Sequence, residues 1–327
     1  MKEDLTTIIE KKAKEKPVKI VICEGRDERT LQASAKVLEE NLAQIILLGN
    51  PEEIKAKASE LGVDISKADI VDFKNSELKN ELASKLVEVR KHKGLTLEDA
   101  EKLIEDPNYF GCMYVNAGYA DAVAGSAICP TAELMRPALQ ILRGKGLVSE
   151  IVIFNDKKND RYLFMTDGSL NIEPNPEQLA QIALNAIECV KEFDIEPKVA
   201  FLSFSTKGSG GNGPQVQIVR DAVKLAQEQE PEVVIDGEMQ FDAAVSPFGA
   251  QRKCPDSPLK GEANTVIFPN LTAANIFVHG MMQFSESTLD YTLIRGLVKP
   301  VSILGRSTPV ETIKNLIMTL AMEVNSK

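Results

Sequence analysis

A chain of 327 residues, 43% hydrophobic and 26% charged, is long enough for two domains of ordinary size, each with its own core. A formal net charge of −10 argues against a nucleic-acid backbone as partner, and no apolar run approaches the ~20 residues of a membrane span. The charged start Met1-Lys-Glu-Asp-Leu5 does not read as a signal peptide. Cys23, Cys112, Cys129, Cys189 and Cys254 are scattered without a C-x-x-C pair, as expected of reduced thiols in a cytoplasmic protein.

In chain order, strand-like runs alternate with helical ones. Residues 18–23 predict a strand, 29–40 a helix and 44–49 the next strand. Pro51 opens a helix to residue 61, and 70–73 precedes a long amphipathic segment over 76–91. Further strands are expected at 121–125, 151–155, 161–165, 199–204, 233–236 and 265–268, with a helix over 132–142. The segment 299–327 predicts a short strand and a helix beginning near Pro309, with Thr308 as candidate N-cap. This alternation predicts an α/β fold: two domains with mostly parallel sheets flanked by helices. A break near Arg143-Gly-Lys-Gly146 divides the chain into 1–146 plus 294–327 and 147–293.

Chemistry is concentrated in a few stretches. Leu202-Ser-Phe-Ser-Thr-Lys-Gly-Ser-Gly-Gly-Asn-Gly-Pro214 lies between a strand and a helix whose Val216, Val219, Val223 and Ala226 recur at helical spacing. Backbone N–H groups and the helix dipole converge on an anion at such a turn, so Ser205, Thr206, Lys207 and Gly208 are candidate binding residues. The loop is neither a Walker A sequence nor a dinucleotide fingerprint, and a flexible connector is the alternative. Glu88 to Thr96 brings Arg90, Lys91, His92 and Lys93 to a helix end closed by Gly94; this is a cation cluster or an ordinary terminus. In the stretch from Asp121 to Gln140, a buried strand leads to a small-residue turn with Ser126 and Thr131, then to Arg136 in the second helical turn. That arginine is either a fork for phosphate or a surface side chain. Asp236, Glu238 and Asp242 are paired acids or turn acids. With His92 and His279 the only histidines, neither a His-based zinc site nor a Ser-His-Asp triad is expected, and no metal residue is assigned.

Several of these runs together resemble phosphate acetyltransferases (phosphotransacetylases): Val89-Arg-Lys-His-Lys-Gly-Leu-Thr96, Tyr109-Phe-Gly-Cys-Met113 and Thr131-Ala-Glu-Leu-Met-Arg-Pro-Ala-Leu-Gln140. Ala200-Phe-Leu-Ser-Phe-Ser-Thr-Lys-Gly-Ser209 and Asp236-Gly-Glu-Met-Gln-Phe-Asp-Ala-Ala244 continue the likeness. So do Pro255-Asp-Ser-Pro258, Val266-Ile-Phe-Pro269 and Gly296-Leu-Val-Lys-Pro300. The resemblance spans nearly the whole chain. It implies a two-domain fold like that of isocitrate and isopropylmalate dehydrogenases, an active-site cleft between domains, and a homodimer. The implied reaction is reversible: acetyl-CoA and phosphate give acetyl phosphate and CoA. Coenzyme A is then a substrate, and no permanently bound cofactor is implied.

By the same resemblance, Arg90, Arg136 and Arg306 match the family's active-site arginines, and Thr131 matches a neighbouring hydroxyl. The family's C-terminal Asp-Leu-Ser-Arg-Gly motif reads Ser302-Ile-Leu-Gly-Arg-Ser-Thr-Pro309 in this chain, so the family serine falls on Gly305. A downstream aspartate, the family's base toward the thiol, falls on Thr312, beside Glu311. Pro130 replaces a family hydroxyl, and His279 stands where lysine is common. Ser307 or Thr308 is expected to supply the missing hydroxyl, or else to cap the last helix, and Glu311 or solvent to take the thiol proton. Two rivals stand beside this reading. One is a phosphate butyryltransferase. The other is a non-catalytic, phosphotransacetylase-like regulatory protein.

Overall fold

In the computed structural model, which describes residues 4–326, most helices start where a short polar side chain takes up orphan N–H groups. Asp4 caps α1 (Leu5–Ala13), Asp27 caps α2 (Glu28–Glu39) and Asn50 caps α3 (Pro51–Leu61), which has Pro51 in its first turn. Between them run β1 (Lys19–Ile22) and β2 (Gln44–Leu48). Next come β3 (Asp69–Val71), α4 (Lys79–Val89), α5 (Leu97–Ile104), α6 (Pro107–Asn116), β4 (Ala122–Gly125) and α7 (Thr131–Ile141). The helix expected over 76–91 starts later because the Ser76 hydroxyl accepts the Leu78 N–H in a turn. It ends in a tight turn over Lys91–Lys93, closed by Gly94 in the left-handed region.

The middle of the chain forms β5 (Ser149–Asp156), β6 (Arg161–Thr166), α8 (Pro176–Glu192), β7 (Lys198–Leu202), α9 (Pro214–Gln229) and β8 (Val234–Met239). It continues through α10 (Phe241–Val245), α11 (Pro247–Lys253), β9 (Thr265–Ile267), α12 (Leu271–Phe284) and β10 (Thr288–Arg295). The chain closes with β11 (Val301–Ile303) and α13 (Val310–Asn325). Two compact units result: one runs to Gly144 and resumes at Leu297, and the other is Lys145–Gly296.

The first unit holds a parallel sheet of five strands among the described residues, in the order β11-β4-β1-β2-β3. Ile20, Val21 and Ile22 are fully buried, as a strand covered by helices on both faces requires. Winding proceeds from β1 to β3 on one side and resumes with β4 on the other. The carboxyl ends of β1 and β4 therefore flank the crevice where open α/β sheets bind ligands.

The second unit's sheet runs β10-β5-β6-β9-β7-β8, with β6, β9, β7 and β8 parallel. Residues 157–160 join β5 to β6 in a connection too short for a crossover, so this pair is antiparallel, and β10 adds antiparallel to β5. Phe154, Phe164, Phe193 and Phe201 are fully buried here, each stabilising the unit by about 1.5–3 kcal/mol. Among the described residues, no helix is long and apolar enough to cross a membrane.

Candidate active site

Three loops leave the carboxyl ends of the adjacent strands β11, β4 and β1, and buried polar groups tie them together. The Glu24 carboxylate, 6% exposed, accepts N–H bonds from Ala127, Ile128 (3.2 Å) and Cys129 (3.1 Å), and so fixes the turn between β4 and α7. Ser126 opens that turn in the left-handed region at φ 64°. Its hydroxyl is buried, 3.5 Å from the Pro130 carbonyl and 3.7 Å from the Cys129 sulfur.

Arg29, to which the sequence reading gave no role, joins this turn to the one between β11 and α13. Its Nη2 donates to the Ala127 carbonyl (2.6 Å) and to Asp27 (3.2 Å). Its Nη1 reaches the carbonyls of Gly305 (3.2 Å), Arg306 (2.8 Å) and Thr308 (3.3 Å). A planar guanidinium suits this work, because its donors fan out from one rigid group. The signal in sequence was weak: Arg29 stands in an Asp27-x-Arg29 helix start like many surface arginines.

Thr131 begins α7 and is exposed; Arg136, one turn further, is exposed as well. Arg90 lies just past the end of α4. Burial raises the pKa of the Tyr109 phenol above its ordinary value, while the positive charges of Arg136 and Arg90 pull it down, so both arginines lie within electrostatic reach of that hydroxyl. The Tyr109 hydroxyl donates to Gln140 Oε1 (3.1 Å), one turn beyond Arg136 on α7. Among the described residues, the guanidinium groups of Arg90, Arg136 and Arg306 have neither a hydrogen bond nor a carboxylate partner. In a chain with 48 acidic side chains, arginines that have no carboxylate partner keep their donors available to an anion. The same edge carries two helix starts, at Pro130 for α7 and Pro309 for α13, that no side chain caps. Their free N–H groups add positive potential.

Glu311 is engaged by Lys36 of α2 in an exposed ion pair. Ser307 is exposed, and the Thr308 hydroxyl does not cap α13, whose N-cap residue is Pro309. The capping role expected for Thr308 is therefore corrected: proline at the N-cap position leaves no place for it.

In the second unit, the loop between β7 and α9 folds over its own carboxylate. Glu238, 2% exposed, accepts from Arg220 Nε (2.8 Å) and Nη2 (3.1 Å), from the Ser205 hydroxyl (2.9 Å) and from the Gly208 N–H (2.9 Å). Thr206 Oγ1 accepts the Gln240 N–H, and Lys207 pairs with Asp236 and the Gly237 carbonyl. Ser257 donates to Asp236 (2.6 Å), and Lys253 pairs with Asp242. The groups picked out as an anion cradle, and the three acids picked out beside them, thus have partners inside the unit. At the carboxyl edge of the same sheet, burial lifts the pKa of Glu150 to about 7, and the neighbouring Asp167 charge pushes it the same way against the Ser169 hydroxyl. This carboxyl went unnoticed in the sequence, where Glu150 is an ordinary strand residue.

Comparison with known proteins gives this geometry a family. A family model described as phosphate acetyl/butaryl transferase matches residues 4–321. A phosphate acetyltransferase of Thermoanaerobacterium thermosaccharolyticum is 42% identical over 328 residues, covering 98% of each chain. The crystal structure of a phosphotransacetylase from Streptococcus pyogenes superposes with a TM-score of 0.94 at 38% identity, over 99% of each chain. A 4-hydroxythreonine-4-phosphate dehydrogenase from Burkholderia phymatum, at TM-score 0.55 and 12% identity over 95% of this chain and 98% of its own, shares the fold alone. The chain belongs to the phosphate acetyl/butyryl transferase family.

Proposed function

We propose that this protein is a phosphate acetyltransferase that moves an acetyl group reversibly between coenzyme A and inorganic phosphate. The observation that carries the reading is a set of arginines without a carboxylate partner among the described residues: Arg136 and Arg306, each within two turns of a helix start that no side chain caps, and Arg90 past the end of α4. In the direction of acetyl-CoA synthesis, the CoA thiolate attacks the carbonyl carbon of acetyl phosphate. A C–S bond forms, the C–O bond to phosphate breaks, and its electron pair leaves on the phosphate oxygen. The arginines offset the charge of the phosphate and of the departing dianion. With Glu311 engaged by Lys36, solvent takes the thiol proton; a thiol of pKa ~8.5 is already a few per cent ionised at neutral pH. The step as written draws on no resident cofactor, and five cysteines that form no disulfide fit a reducing cytoplasm.

Pure protein is expected to break down acetyl-CoA in the presence of arsenate, because acetyl arsenate hydrolyses as it forms, and to do so faster than it breaks down butyryl-CoA. A reversed preference moves the assignment to a butyryltransferase. Complete inactivity would make this a regulatory member of the family.

The same reading includes a homodimer. Helix α12 buries Ala274 and Val278 but leaves Ile276, Met282 and Phe284 exposed, Phe284 at 94%. Exposed apolar side chains of this kind suit cover by a second copy of the chain. In sedimentation, Ile276→Lys combined with Met282→Lys is expected to shift a dimer to monomer; an unchanged sedimentation coefficient rules α12 out as the contact.

A further inference from the structure

The turn after β11 has exchanged one hydroxyl position for another. Gly305 sits at φ 72°, where residues with a Cβ are strained. A Cβ built on it would lie 2.5 Å from Thr308 Oγ1 and 3.7 Å from Thr308 Cβ. The Thr308 hydroxyl therefore occupies the space into which a side chain at position 305 would project. That is the position where the family motif carries its serine.

We infer that Thr308 supplies the hydrogen-bond donor to the reacting acetyl carbonyl, and that its presence is why residue 305 is glycine. Three further observations carry this assignment. First, the hydroxyl has no structural duty: it caps no helix and has no hydrogen-bond partner among the described residues, although it is only partly exposed. Second, its backbone is held on both sides. The Thr308 N–H closes the turn on the Gly305 carbonyl (3.5 Å), and Arg29 grips the carbonyls of Gly305, Arg306 and Thr308. A donor fixed before substrate arrives is the kind that stabilises developing charge, and a β-branched side chain adds stiffness at χ1. Third, Ser307 is more exposed, and its carbonyl is not among those that Arg29 holds.

The inference rests on the acetyl-transfer reading. The donated proton stays on Thr308 throughout: the hydroxyl bonds to the carbonyl oxygen as sulfur adds and phosphate departs, and no covalent bond to the enzyme forms.

The test is a set of variants assayed for acetyl-CoA and phosphate turnover, with folding followed by circular dichroism. Thr308→Val, which keeps the shape and loses the hydroxyl, should lower kcat by ~10²-fold with little change in KM. Thr308→Ser should retain most of kcat, and Ser307→Ala should lose less than Thr308→Val. Gly305→Ser alone should lower activity, because its Cβ meets the Thr308 hydroxyl. In a Thr308→Ala background the same serine should raise activity, because the obstruction is gone and a hydroxyl is restored to that space. A Thr308→Val enzyme with near-normal kcat overturns the assignment. A folded Thr308→Ser as poor as the valine variant does so too, as does a larger loss from Ser307→Ala. So does a Gly305→Ser, Thr308→Ala double variant no better than Thr308→Ala alone. A wild-type protein inactive toward acetyl-CoA with arsenate would remove the acetyl-transfer reading and this inference together; an active wild type whose variants behave otherwise removes only Thr308.

Discussion

Arg29→Ala is expected to lower kcat/KM for acetyl transfer by ~10²-fold while leaving a folded protein, because misplacing catalytic groups by about 1 Å is enough for such a loss. Removing the guanidinium frees the carbonyls of Ala127, Gly305, Arg306 and Thr308 from their common donor. The two turns then drift independently: one leads into Thr131 and Arg136, and the other carries Arg306 and Thr308. Water can take up the freed carbonyls at this partly exposed position, so the stability loss should stay near 1 kcal/mol, the ordinary net worth of a hydrogen bond. Arg29→Lys should recover little, since an ammonium on a flexible stem cannot hold four carbonyls in a fixed fan. Steady-state kinetics with thermal melts read both effects. Normal turnover in Arg29→Ala would mean that each turn holds its place through its own backbone.

How much of this was legible beforehand depended on whether the deciding contact was local. The strand ending near residue 22, the Asp27 and Asn50 helix starts and the strand–loop–helix around Gly208 follow from periodicity and turn chemistry within a dozen residues. The antiparallel β5–β6 pair was less accessible, since alternation of strands and helices points to parallel neighbours and only the short connection at 157–160 betrays the hairpin. Side-chain duties were less legible still. Arg90, Arg136 and Arg306 stood out through resemblance, but that they lack carboxylate partners depends on what lies across the fold. Lys207 looked like a phosphate ligand because its partner, Asp236, lies 29 residues away on another strand. Arg29 went unnoticed for the same reason: its carbonyl acceptors are 98 to 279 residues distant.

The carboxylate at the centre of the glycine-rich loop makes the second large prediction. Glu238→Ala should destabilise the second unit by about 3–5 kcal/mol, because it leaves the Arg220 guanidinium without its charge partner and the Ser205 hydroxyl and Gly208 N–H without their acceptor. For a unit of this size that is a fall in Tm of roughly 10 °C. Burial pushes the Glu238 pKa up, but Arg220, the Gly208 N–H and the Ser205 hydroxyl outweigh it and hold the value at about 2, against an ordinary 4.5. Such a gap corresponds to about 3 kcal/mol in favour of the folded, ionised form. The folded pKa lies below the unfolded one, so this stabilisation is complete above the unfolded value and is lost as pH falls toward 2. The difference in melting temperature between wild type and Glu238→Gln should therefore be widest near neutrality, with more than half of it gone by about pH 3. An undiminished difference at pH 3 would show that shape, not charge, holds the loop. Because Ser205, Lys207 and Gly208 keep their positions through Glu238 and its neighbour Asp236, a loosened carboxylate should also expose the 205–213 backbone to faster amide exchange, while the sheet behind it remains protected.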